Sequence, residues 1–155
     1  MAYWRLFYHI VFATRDREPM ITPEIESRLW GFIADKARRM EAIVYAVGGT
    51  QDHVHIVAAI PPKVAIATLI GELKGASAHY TNHHMLEPPA LRLEWQRGYG
   101  ILSFGEKDLQ RVVDYVRRQK EHHREGTTIA ALERVEEKED APRDASARKE
   151  PEHRS

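Results

Sequence analysis

Aromatic and β-branched side chains crowd residues 3–13, YWRLFYHIVFA, and such a run predicts a first strand. The period changes at TPEIESRLWGFIADKARRM. Thr22 stands as N-cap, Pro23 at the first helical position, and Ile25, Leu29, Phe32, Ile33 and Ala37 recur at helical spacing. Residues 42–47, AIVYAV, predict a short strand. GGTQD follows as a tight turn and HVHIVAAI as the next strand, so the two are expected to pair as a hairpin. After PPK, residues 64–85 predict an amphipathic helix with Ile66, Leu69, Ile70 and Leu73 inward, ended by EPP. LRLEWQRGYGILSF is strand-like with an irregularity at RGYG. A last helix from about Glu106 to Glu125 turns Leu109, Val112, Val113 and Val116 to the core and stops at Gly126.

The order β-α-β-β-α-β, then α, matches an α+β, ferredoxin-like split βαβ: a four-stranded antiparallel sheet with two helices on one face. The first and third strands are central in that topology, so HVH falls mid-sheet. Residues 1–126 are read as one domain and 127–139 as a short extra helix. Residues 140–155, DAPRDASARKEPEHRS, are charged and aperiodic and are expected to be disordered.

Composition adds exclusions. Without cysteine there is no disulfide, thiolate metal site or cysteine nucleophile. The start lacks a small-residue cleavage site and its apolar run is too short for a membrane span, so a cytoplasmic protein is expected, with no membrane partner. Net charge is zero, with 6 Lys/Arg against 8 Asp/Glu in residues 131–155 and 17 against 15 before them. That is far from the basic signature of a tight duplex binder.

The chemistry starts at QDHVHI. Side chains alternate along a strand, so His53 and His55 project from one face, about 7 Å apart, while Val54 and Ile56 face the helices. The imidazoles are thus expected on a helix-free face. Two neutral imidazoles can converge on a cation but need a further ligand. On the last helix, Gln119 and Tyr115 lie one turn apart on one edge of the apolar stripe. An amide oxygen there can complete a metal shell, and a phenol can attack phosphorus. Packing alone would equally explain a Tyr beside such a stripe, and solvation a Gln. Arg15, Arg17 and Lys74 are the candidate phosphate contacts, with Tyr99 and Trp95 as base-stacking candidates. His9 reads as half-buried, His79, His83 and His84 as solvated, and His122 as a neighbour of the site. His123 shares the edge of Gln119 without being expected to ligate.

Taken together, YHIVFATRDREPMI, GGTQDHVHIV, LKGASAHYTN, WQRGYGILSF and VVDYVRRQKEHH, in this order, resemble the small single-tyrosine HUH transposases of bacterial and archaeal insertion sequences and their repeat-associated relatives. The resemblance covers roughly residues 4–125. It implies His53 and His55 as the histidine pair, Tyr115 as nucleophile and Gln119 as third metal ligand. It further implies Mg²⁺ or Mn²⁺ as cofactor, single-stranded DNA with hairpin-containing element ends as substrate, a covalent 5′-phosphotyrosine intermediate, and a homodimer. The chain departs from the family at Gly105, where relatives often carry a serine-type cap, and in its short acidic tail. Competing readings are a domesticated, non-cutting DNA-hairpin binder, a replication-initiator type of HUH endonuclease, and a metal-dependent hydrolase with a structural Tyr115.

Overall fold

In a computed structural model that describes residues 2–86 and 92–136, the alternating segments become the strands β1 (Phe7–Ala13), β2 (Ile43–Thr50), β3 (His53–Ala59) and β4 (Gly100–Phe104). They form one antiparallel sheet in the order β2-β3-β1-β4, with β1 and β3 central. The helical segments become α1 (Pro23–Arg39) and α2 (Ile66–Tyr80), the latter continued by a π-turn over Thr81–Met85. The EPP stop at 87–89 and the tail from 140 lie outside the described residues.

Strand alternation divides the core in two. Ile10 and Phe12 of β1 and Val54, Ile56 and Ala58 of β3 pack under Ile25, Leu29 and Ile33 of α1 and Leu69, Ile70 and Leu73 of α2. Burying a side chain of this kind is worth about 1.5–3 kcal/mol, so this layer anchors the sheet. The intervening residues, among them His9, His53, His55 and Val57, point to the other face and are buried as well.

Three expectations are corrected here. The face carrying the histidines is not helix-free: Val112, Val113 and Val116 pack on Ala46 and Val57 across it. An apolar helical stripe must bury itself, and the opposite face of the sheet is already covered by α1 and α2. Second, the single C-terminal helix is two, α3 (Leu109–Arg117) and α4 (Gln119–Glu125), entered through a 3₁₀ turn at Glu106–Asp108. Arg118 breaks the run with φ −105° and ψ 26°, and Gly126, at φ 70°, ends it. A short α5 (Ala130–Glu133) then returns over the same face.

Third, GGTQD is not all turn. Gly48, Gly49 and Thr50 belong to β2, and only Gln51 and Asp52 make the bend. The glycines serve close approach instead. A Cβ on Gly48 would lie 2.4 Å from the Val116 carbonyl oxygen, and one on Gly49 would lie 2.1 Å from the His53 carbonyl oxygen. Gly48→Ala is therefore expected to push α3 away from β2. We expect a cost of about 1–3 kcal/mol, read as a fall in Tm of about 2–4 °C per kcal/mol. An unchanged Tm would show that α3 does not need this contact.

Candidate metal and nucleophile site

His53 opens β3, directly after the bend that Asp52 completes. Its Nδ1–H donates to Asp52 Oδ1 at 2.7 Å, with Thr50 Oγ1 3.0 Å away. This hydrogen bond, against some burial, holds the Asp52 carboxyl below its ordinary range, so Asp52 is an acceptor only. His53 Nε2 then faces the opposite side. His55, two residues on, is fully buried. Its Nδ1 is 2.7 Å from Nε2 of His9, itself 1% exposed, which leaves His55 Nε2 facing the same space as that of His53. Burial is the main reason His9 is pushed down to about 3, with the neighbouring His55 adding to the shift, so the His9 ring is neutral. Burial likewise lowers His55. His9 is thus a buried orienting group, not the half-buried strand residue its pattern suggests.

The packing of α3 on the sheet brings the other two residues over this pair. Tyr115 is 4% exposed and Gln119 is 1% exposed. The break at Arg118 tightens the turn between them, and the Gln119 amide nitrogen donates to the Tyr115 carbonyl at 3.3 Å. The amide oxygen is thereby aimed at the histidines, 3.1 Å from His53 Nε2 and 3.2 Å from His123 Nε2. His53 Nε2 and the amide oxygen stand 3.1 Å apart, a hydrogen bond when Nε2 carries a proton and a pair of ligand atoms when it does not. A divalent cation fits this donor set of ring nitrogens and oxygens.

A fifth group enters from α5. The Tyr115 hydroxyl donates to Glu133 Oε1 at 2.5 Å and accepts from the Ile129 backbone N–H at 2.9 Å. The other carboxylate oxygen, Oε2, lies 3.0 Å from His55 Nε2 and 3.5 Å from His53 Nε2. Burial, then the hydrogen bond to Glu133, pushes the Tyr115 phenol up to about 12. Burial alone would raise Glu133, but the hydrogen bond and charge of His55, the Tyr115 hydroxyl and the charge of His53 together bring it down to about 2. The proton therefore stays on the phenol. His53, His55, His123 and Glu133 place their ligating atoms within 4.8 Å of one another and could hold a metal ion.

Sequence reasoning passed over Glu133. It lies in an acidic run with Glu136, Glu137 and Glu139, and no periodicity separates it from them. His123 comes closer than expected, its ring 4.7 Å from that of His53. His122 stacks on Tyr115 with ring centroids 4.6 Å apart. Of the candidate phosphate contacts, Arg17 reaches the site's rim, 3.9 Å from Asp52 Oδ1. Arg15 is exposed and paired with Glu94 at 2.9 Å. Lys74 sits on α2, in the layer across the sheet, and donates to the Gln96 and Gly98 carbonyls at 2.8 and 2.9 Å. Trp95 packs edge-on against Phe12 and donates to Ser77 Oγ, and Tyr99 pairs with Glu136.

A four-stranded antiparallel sheet carrying paired histidines under a tyrosine helix defines a class, and comparison with known proteins gives the family. Residues 2–119 match the family described as "Transposase IS200 like", and the chain belongs to it. It is 27% identical over 130 residues, 82% of this chain and 85% of the relative, to the transposase for insertion sequence element IS200 of Salmonella typhimurium. Its fold is similar to that of a crystallographically solved protein from Deinococcus radiodurans: TM-score 0.59 and 24% identity, over 84% of this chain and 97% of that one. It is similar also to a repeat-associated tyrosine transposase solved with a REP hairpin: TM-score 0.57 and 17% identity, over 83% of this chain and 76% of that one. No helix among the described residues is long and apolar enough to cross a membrane.

The Asp52 carboxylate is what directs His53 Nε2 inward. Asp52→Ala is expected to weaken divalent-cation binding by about 10–100-fold with little change in metal-free stability, measured by calorimetric titration. Unchanged affinity would mean the His53 ring is held by packing alone.

Proposed function

We propose that this chain cleaves and rejoins single-stranded DNA, with Tyr115 as nucleophile and His53, His55 and Gln119 as ligands of a divalent cation. Membership of the IS200-like family supports a transposase. The observation that carries the assignment of roles is the convergence of two imidazole nitrogens, an amide oxygen and a phenol in one buried cluster.

A phosphodiester entering this cluster is attacked by the Tyr115 oxygen. The O–P bond forms as the bond to the 3′ oxygen breaks, leaving a 5′-phosphotyrosine and a 3′ oxygen that takes a proton from solvent to become the free hydroxyl. Since Tyr115 keeps its proton in the resting site, that proton leaves only as the new bond forms and the phenolic oxygen loses basicity. It leaves along the existing hydrogen bond toward Glu133 Oε1. When bound, Mg²⁺ or Mn²⁺ supplies Lewis-acid withdrawal of charge from the non-bridging phosphate oxygens. Attack by another 3′-hydroxyl reverses the step onto a new end, and no nucleotide cofactor is required.

A single strand suits this site because the nucleophile is nearly buried and the substrate must bend to reach it. The relative solved with a REP hairpin supports element ends that contain hairpins. Arg17 is the phosphate contact nearest the chemistry, with Arg15 beside it. Lys74, across the sheet, would meet only DNA that wraps the domain. A homodimer would hold two DNA ends at once. A non-cutting hairpin binder remains the second reading, because Tyr115 is capped on both sides in this state.

A labelled single-stranded oligonucleotide carrying the element's end, incubated with Mn²⁺, should yield a protein-linked band. Tyr115→Phe is expected to lose the band while retaining DNA binding, and chelation should abolish it. An adduct surviving in Tyr115→Phe would eliminate this nucleophile. Free cleaved product without any adduct would indicate a hydrolase.

A further inference from the structure

Glu133 lies beyond residue 119, where the family match ends, and its carboxylate is only 17% exposed. Among the described residues its ion-pair partners are His53, His55 and His123; no Lys or Arg approaches it within bonding distance. Burying a carboxylate is costly unless it is paired; in the metal-free site His55 answers Glu133 with a hydrogen bond, and a ring nitrogen that binds a metal gives that bond up.

The geometry suggests what then answers it. Oε2 is 3.0 Å from His55 Nε2 and 3.5 Å from His53 Nε2, and Gln119 Oε1 is 3.1 Å from His53 Nε2. Adjacent ligands of an octahedral cation bonded at about 2.1 Å stand about 3 Å apart. Two imidazoles and an amide form a neutral, rather soft set for Mg²⁺ or Mn²⁺, which favour carboxylate oxygen. The second oxygen, Oε1, is held by the Tyr115 hydroxyl at 2.5 Å.

We propose that Glu133 is a further protein ligand of the cation and that its second oxygen tethers Tyr115 to the metal site. This rests on the reading of His53, His55 and Gln119 as ligands. One carboxylate then sets the distance between cation and nucleophile, with α5 as the arm that delivers it.

The test is calorimetric titration of the full chain with Mn²⁺. Wild type is compared with Glu133→Gln, Glu133→Asp and His53→Ala, after thermal unfolding in chelator has shown each to be folded. Glu133→Gln should bind Mn²⁺ about ten-fold or more weakly, with Glu133→Asp recovering part of the loss because it keeps the charge. Wild-type affinity in Glu133→Gln would overturn the proposal. If that variant also formed the DNA adduct faster, the carboxylate would be an occluding group. Unchanged affinity in His53→Ala would sink the metal-site reading itself, which separates the two failures. Should Glu133→Gln not fold, infrared difference spectra of the wild type with labelled glutamate give the answer. A carboxylate band displaced by Mn²⁺ is expected, and none displaced overturns the ligand.

Discussion

Between Gly48 and the Val116 carbonyl there is no space for a side-chain carbon, and that closeness seats the tyrosine helix on the sheet. A helix seated so near β2 drops Val112, Val113 and Val116 onto Ala46 and Val57. One turn of that helix then carries Tyr115 over His55, ring centroids 6.1 Å apart. The break at Arg118 bends the chain so that Gln119 follows inward. A continuous helix seated further out would keep the apolar contacts in part, yet leave the amide short of the imidazoles.

The polar cluster under this helix is ordered from outside in. Asp52 and His9 each take one nitrogen of a site histidine, fixing which nitrogen faces the centre. Hydrogen-bond partners of this kind orient metal-binding rings and raise their basicity. At the centre His53 Nε2 meets the Gln119 amide oxygen at 3.1 Å, and the Glu133 carboxylate meets His55, whose proton affinity burial lowers. His53, His55, His123 and Glu133 converge closely enough that they could hold a cation in place of the hydrogen bonds between them.

The fold was legible because each element carried its own period. The βαββαβ order, the central place of HVH and the inward stripe of the last helix all follow from local spacing. What local spacing hides is distance between elements. Gly48 looked like a turn residue because the helix that needs its small size lies over sixty residues away. The break at Arg118 has no proline or glycine to announce it. Glu133 is one of several acidic residues in a weakly patterned segment, and only the return of α5 across the sheet singles it out. His9 was visible as a strand residue, but its bond to His55 depends on the pairing of β1 with β3.

The central claim is spatial: one cation bound where the histidine pair, the amide and the phenol meet. Anomalous diffraction at the manganese edge from crystals grown with Mn²⁺ measures it directly. The account predicts one strong peak within bonding distance of His53 Nε2, His55 Nε2 and Gln119 Oε1, beside the Tyr115 oxygen. Manganese bound only elsewhere, with these atoms unliganded, would contradict it.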